Sequence, residues 1–520
     1  MNYSLNPIAD SPLGMERARH LLNRTIFGAG ISDYEQFAAL TINEALDILL
    51  ADTAQPDPPL QIWGEDPNVA FGESWVDAEL DTNIRFNRKK SLRSWWIGQM
   101  LNQQTKLREK MVLFWHNHFV TETNVVNIPV YLYDYVQLIR QHALGNFKSL
   151  ALEMTVNPAM LRYLDGNENT EKSPNENFSR EVFELFTIGK GPMISEGNYT
   201  YYTEQDVQEG ARVLTGWKIN NTSLASYFNA SKHDKGEKTF SEYYGHKSIS
   251  DQGDREYLEL IEMIFAKAET ARSLVKKLYR WFLYYNIDEE VLTRVINPLS
   301  DTLYNNGYDL KPVLRQLLSS EHFFDLDFIG CYIKNPLDFI LGSIRKLDVS
   351  ISDDLATKYE IWNLLYLLSG YQELQLGSPP DVAGWPAYYL DPQFNELWIN
   401  SATLPQKAEF STKLINGRYK KLGFVIKPDV IALAEKTSDP SLPDTLITEL
   451  CELLLPLPVS VDQIVNLKEV LIPGLPDFEW TLEWNNYKNN PEDQGLEEAV
   501  GNAIRLLIEA IMHMPEYYLM

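Results

Sequence analysis

Apolar residues recur at three- and four-residue spacing through most of this chain, and that period constrains its fold more than any other feature. Side chains advance about 100° per residue around a helix, so a stripe with this spacing can be buried only on a helical face. The expected fold is therefore mainly α: a large multi-helix domain with long ordered loops and minor β-hairpins at most. The spacing predicts helices over 32–50, 88–102, 106–115, 130–141 and 146–156, then with breaks over 256–318, and finally over 494–513. Residues 55–67, 220–254, 377–397 and 473–493 are rich in proline, glycine or polar groups and read as loops. A break near 417–428 divides the expected organisation into a main helical domain, 1–415, and a C-terminal helical segment packed on it, 416–520.

Charge narrows the function classes. The net charge is −26, from 72 acidic against 46 basic residues, and such a field repels nucleic-acid backbones and anionic lipid. No nucleic-acid partner is expected, and no apolar run is long enough for a membrane span. The two cysteines, Cys331 and Cys451, are too few and too far apart for a disulfide scaffold or a zinc-ribbon set. The first ten residues carry no basic flank and no apolar run. Cytoplasmic placement is the expectation, with export alongside a partner left open.

Four segments carry the polar residues of interest. The first, LREKMVLFWHNHF over 107–119, holds His116 and His118. On a regular helix these two point roughly 200° apart and cannot share one ion; they could if the helix ended near Trp115. The ordinary reading is a buried, hydrogen-bonded His118 and an incidental His116. The second, SPNENFSREVFELFTIG over 173–189, reads as a helix with Ser173 as N-cap, Pro174 in its first turn, Glu176 completing a capping box and Gly189 closing its end. Asn177, Glu181 and Glu184 share one side of it, and a Glu-x-x-Glu pair can serve a metal or acid–base chemistry. The ordinary reading pairs Arg180 with Glu176 and Glu184 as a solvated face.

The third segment, YTEQDVQEGARVLTGW over 202–217, repeats the capping-box pattern at Thr203 and Asp206, and structure alone accounts for most of its acids. The fourth, HDKGEKTF over 233–240, gathers His233, Asp234 and Lys238 in a polar loop, a usual place for function and equally for a surface turn. No phosphate-binding glycine loop, dinucleotide fingerprint, zincin helix or nucleophile elbow is present.

With HLLNRTIFG, NPAMLRYLD, SPPDVAGWP and MPEYYLM, these segments resemble one bacterial family, the domain of unknown function numbered 1800, from about residue 12 to the C-terminus. The resemblance implies a helical fold without an assigned activity. It implies a partner from a neighbouring uncharacterised family of sulfatase-like or phosphatase-like character. Its recurring polar positions correspond here to His116, Asn117, His118, Asp165, Asn175, Glu176, Asn177, Arg180, Glu181, Glu184, Glu204, Asp206, Arg212, His233, Asp234 and Lys238. Ser179 stands where the family usually has alanine, and Phe183 where it has methionine.

So many charged and amide side chains are costly to bury unless they satisfy one another. Two readings follow. One is a hydrolase-like catalytic pocket built from Glu181, Glu184, Asp234, Lys238, Arg180, Asn175 and Asn177, in which His116, His118 and His233 would hold a divalent transition metal. The other is a buried polar network that fixes a non-enzymatic scaffold. The first requires the three motifs to meet around one cavity. The second requires the histidines to bond backbone carbonyls and the acids to pair with Arg180 or Arg212.

Overall fold

A computed structural model describes residues 2–196 and 198–520. It is mainly α, as the apolar period requires. Among the described residues, β structure is confined to four two-stranded antiparallel pairs. One continuous hydrophobic cluster runs from Ile8 to Tyr518. No described helix is long and apolar enough to cross a membrane.

Several expected elements differ in detail. The helix expected over 32–50 is two, Ile31–Ala38 and Ile42–Leu49. The break falls at Thr41, whose side chain accepts from Glu44 N while Glu44 returns to Thr41 N, so a second capping box outweighs continuity. The loop expected over 473–493 contains the helix Asp477–Asn489. Its asparagines are poor helix formers, but Trp480 and Trp484 lie one turn apart and are both buried, and that burial decides the conformation. The stretch 220–254 is an ordered insertion. Trp217–Asn220 pairs with Ala225–Phe228, and Lys238–Thr239 pairs with Ser248–Ile249.

Residues 416–520 form a hairpin, five α-helices and a short 3-10 helix, and the last long helix, Gln494–Met512, packs on Thr403–Ile415. There Thr412 Oγ1 donates to Glu509 at 2.7 Å. The chain end returns to the middle of the fold, where Lys334 N donates to Tyr518 O at 2.8 Å and Met520 N to Tyr332 O at 2.8 Å.

The helix bearing the two central histidines, Arg108–His118, is anchored by Trp115. This ring is wholly buried, stacks on Phe147 with centroids 5.4 Å apart, and donates its indole N–H to Ala143 O at 3.1 Å. The helix continues past Trp115 to His118, so the two imidazoles diverge. Both are nevertheless buried. His116 is thus a core residue rather than an incidental one.

Candidate functional site

The FWHNHF segment works as a clamp. His116 Nε2 accepts the N–H of Gly377 at 3.1 Å, so its proton sits on Nδ1 and is given to the Tyr135 hydroxyl at 2.8 Å, which donates on to Phe119 O at 2.6 Å. Asn117 Oδ1 accepts the N–H of Trp385 at 2.9 Å. Thr123 Oγ1 adds a bond to Gly377 O at 2.6 Å. Gly384, at φ +99°, lies so close to Asn117 that a Cβ there would overlap it, so this position requires glycine. The histidine helix therefore holds the loop 377–385, and that loop carries Asp381.

His118 is equally committed. Its Nε2–H donates to Phe186 O at 3.0 Å, and its Nδ1 accepts from Lys277 Nζ at 3.1 Å, which also reaches Leu185 O at 2.7 Å. Burial holds His116 down at about 3 and His118 well below the usual imidazole range, the latter with Lys277 adding to the effect. Both rings are neutral, and each lone pair already has a donor. Lys277 is itself lowered to about 7, by burial and then by Arg280. His118 and Lys277 together fix the end of the helix Glu176–Glu184 against the histidine helix.

That helix starts later than expected. Its N-cap is Asn175, not Ser173: Asn175 Oδ1 accepts from Phe178 N at 3.0 Å, while Ser173 forms a bridge with Thr170. Pro174 precedes the cap instead of opening the helix. Asn175 is locked further by Nδ2 to Leu164 O at 2.9 Å and by Asn169 Oδ1 on its own N–H at 2.9 Å. Asn177 is exposed. Gly189, at φ +84°, turns its N–H back to Phe183 O at 3.0 Å and closes the far end. Arg180 pairs with neither Glu176 nor Glu184. It forms a bidentate bridge to Glu204 at 2.6 and 2.6 Å. Glu184 instead accepts from the Tyr202 hydroxyl at 2.5 Å and from Lys190 at 3.3 Å.

Glu181 is the exception in this paired region. It is half-buried and, among the described residues, its carboxyl has no hydrogen-bond or ion-pair partner. Burial, then the charges of Glu184 and Asp381, raise its carboxyl to about 7, against the opposing pull of Arg180 and Lys190. Among the described residues the Tyr163 hydroxyl also lacks a partner. Burial together with Asp381, Glu122 and Glu181 pushes it up to about 12. Glu181, Asp381, Tyr163 and the Glu184–Tyr202 pair thus form one group of acids and hydroxyls. Four sequence segments bring it together: NPAMLRYLD, PNENFSREVFELF, YTEQDVQEG and SPPDVAGWP.

The HDKGEKTF segment is fully engaged with the elements around it. His233 Nδ1 meets Thr215 O at 2.9 Å and Thr215 Oγ1 at 3.1 Å, while Nε2 meets Glu256 Oε1 at 2.8 Å. Lys238 Nζ reaches Glu256 Oε2 at 2.7 Å and also bonds Asp234 O. Lys238 and Glu256 side chains are both 0% exposed. Burial opposes ionisation of Glu256, but bonds from His233, Lys238 and Gln252 N outweigh it and hold the carboxyl below its ordinary range. Asp234 is held low by Arg212, whose Nε and Nη2 reach it at 2.7 and 3.2 Å, and Arg212 also bonds Glu209 at 2.6 Å. Asp206 completes the expected capping box with Thr203 and accepts from Ser241 N at 2.7 Å, tying this loop to the helix Glu204–Val213.

Among the described residues, the group of His, Cys, Asp or Glu with ligand atoms within 4.8 Å of one another is His233, Asp251 and Glu256. His116, His118, Glu181, Glu184 and Asp234 do not belong to it. Glu256 in that group already takes an ammonium and an imidazole, so a divalent ion would have to displace Lys238. The three histidines therefore occupy three settings. Sequence reasoning missed Asp381, Tyr163 and Glu256. Asp381 and Tyr163 stand inside quoted motifs, SPPDVAGWP and NPAMLRYLD, and could have been singled out; Glu256 opens a helix with no motif around it.

No curated protein and no solved structure matches the chain. A family profile described as "Protein of unknown function (DUF1800)" matches residues 20–519. With nearly its whole length matched, the chain belongs to the DUF1800 family.

Proposed function

We propose that the chain is a hydrolase-like enzyme whose general acid–base group is Glu181. The observation that supports this most is the contrast in pairing: of the acids in the central motifs, the Glu181 carboxyl is partly buried and has no partner among the described residues, while its surroundings hold it protonated to about pH 7. A carboxyl with that affinity both gives and takes a proton near neutrality, as general acid–base catalysis requires. Asp381 beside it would orient water or stabilise positive charge, with Tyr163 as a hydroxyl donor. Asn175, Arg180, His116 and His118 are positioning residues in this reading. No step in it passes through a metal, and the residues expected to ligate one are engaged with protein partners.

The test is a panel of chromogenic esters, phosphomonoesters, glycosides and peptides, with the metal content of the purified protein measured alongside. Turnover in one class, reduced at least about 100-fold in Glu181→Gln and bounded by a limb near pH 7, is the expected result. Turnover that survives Glu181→Gln, or a panel without turnover, overturns the proposal.

A second reading draws on the paired network itself. Arg180–Glu204 and Arg212–Asp234 behave as a scaffold requires, and His118 and His233 bond backbone carbonyls. On this reading the chain would serve a partner, for which the family resemblance suggests a sulfatase-like or phosphatase-like neighbour. Affinity capture from the native host would then recover a stoichiometric companion, and the isolated chain would turn over nothing.

A further inference from the structure

The helix Arg85–Leu101 carries Arg85, Arg88, Lys89, Lys90 and Arg93 and no acidic residue. In a chain with 72 acids against 46 bases, each of these cations should find a carboxylate. Two do. Arg88 is buried against Asp66 at 2.9 Å, and Lys90 meets Glu360 at 3.0 Å. The other three stand four residues apart, so they share one side of the helix over about 12 Å. Among the described residues, Arg85, Lys89 and Arg93 have no ion-pair partner. Nε of Arg85 and Nε of Arg93 are buried without a hydrogen bond, and Lys89 Nζ reaches a neutral acceptor, Asn127 Oδ1, at 2.8 Å. The Arg93 guanidinium lies 4.6 Å over the Tyr366 ring, which holds it in place. Burial, then Arg93, hold Lys89 below its ordinary value, with Glu122 opposing and Arg85 adding to the effect.

This stripe borders the Glu181 group. Lys89 and Arg93 line one narrow crevice with Thr123 and Gly377. Thr123 N donates to Gly377 O at 2.9 Å, at the start of the loop that carries Asp381. The helix Thr123–Val126 packs on Pro158–Tyr163, which ends in the Tyr163 of the acid group. Glu122, between the two, is turned to its own helix, accepting from Asn124 N at 3.1 Å and Val125 N at 2.9 Å, and its charge acts on both Lys89 and Tyr163. The crevice, about 20 Å³, has room for a water, so a larger ligand of the stripe lies across its mouth.

We propose that the Glu181 site takes an anionic substrate, with carboxylate, sulfate or phosphate groups seated along Arg85, Lys89 and Arg93 and the bond to be broken lying at the acids. This rests on the reading of Glu181 as the reacting group. Guanidinium forks and an ammonium left without a carboxylate are the donors that such oxyanions accept from. Glu122 and Asp381 would repel a negative group placed at the acids themselves, so the stripe and the acid group together set which end of the substrate enters.

The experiment is calorimetric titration of the intact chain carrying Glu181→Gln, at low ionic strength, so that binding is read without turnover. The probes are citrate for carboxylate, tripolyphosphate for phosphate and sucrose octasulfate for sulfate, with uncharged sucrose as the reference. At least one of the three should bind, and sucrose should not. Binding should weaken at least about 10-fold in Lys89→Gln/Arg93→Gln, and by a smaller factor in Arg85→Gln, which breaks no hydrogen bond or ion pair among the described residues. Arg17→Gln/Arg505→Gln removes the same two charges from other helices and should leave binding within about 2-fold. Absence of binding by all three probes, or equal weakening in the two double variants, overturns the proposal. Turnover that depends on Glu181 without any anion binding likewise overturns it and leaves the hydrolase reading standing. Anion binding lost with Lys89 and Arg93 supports the stripe as the anion seat even where the hydrolase reading fails.

Discussion

The loop around His233 and the group around Glu181 are assembled from the same residue types with opposite results. In the first, Glu256 accepts from His233, Lys238 and Gln252 N, and each ionised group has a counterpart. In the second, the neighbours of Glu181 pair with others, Arg180 with Glu204 and Glu184 with Tyr202 and Lys190, and the carboxyl is left alone. A closed network of buried charges specifies one packing arrangement and loses reactivity by doing so. An open carboxyl costs stability and retains a proton it can transfer. The contrast teaches that density of polar residues in a motif is a poor guide to chemistry, and that the unsatisfied member is the informative one.

The largest expected effect comes from opening the closed region. Glu256→Ala leaves Lys238 and His233 buried beside no carboxylate and should cost about 3–5 kcal/mol in urea denaturation. Glu181→Ala should change stability at pH 5 by less than about 0.5 kcal/mol, because among the described residues its carboxyl loses no hydrogen bond or ion pair. Equal losses at the two positions would erase the distinction.

The next effect is a pH dependence confined to the open region. The folded protein keeps the Glu181 proton up to about pH 7, whereas an unfolded glutamate releases it near its ordinary value of 4.5. Folding therefore loses stability as pH rises through that interval, and the loss is complete above about 7. Glu181→Gln should accordingly stabilise the chain at pH 8 by about 1–2 kcal/mol, allowing for solvent screening of a half-buried group, and should be neutral below pH 4.5. Chemical denaturation of both proteins across that range gives the answer.

Smaller effects sharpen the boundaries of the Glu181 helix. Asn175→Ala removes its cap and should cost about 1 kcal/mol, while Ser173→Ala should stay within about 0.5 kcal/mol. Ser179→Ala should gain up to about 1 kcal/mol. Among the described residues its hydroxyl is buried without a partner, against Gly210.

What the sequence made legible was local. Thr203 and Asp206 close their capping box as the three-residue spacing requires, and the apolar stripe of 130–141 becomes the helix Pro129–Gln141. The sequence reading places the cap at Ser173, two residues early, because the bonds to Leu164 O and Asn169 that hold Asn175 in that role come from outside the segment. Glu181 was named as a candidate because it shares a helix side with Glu184. Its lack of a partner was not legible, since that depends on where Arg180 finds Glu204, 24 residues on, and where Asp381 arrives from the far half of the chain. The role of FWHNHF was hidden for the same reason. A histidine that receives the N–H of Gly377, 261 residues away, carries no local mark distinguishing it from a metal ligand.

The central claim is that Glu181 is an unpaired carboxyl poised near neutrality, and it can be read directly by titration. Carbon-13 labelling of glutamate side chains, followed by NMR from pH 4 to 9 in the wild type and in Glu181→Gln, isolates the one resonance that the substitution removes. The account predicts that this carboxyl titrates at about 7. Titration at the ordinary glutamate value of about 4.3 would contradict it and leave the paired scaffold as the better reading of the molecule.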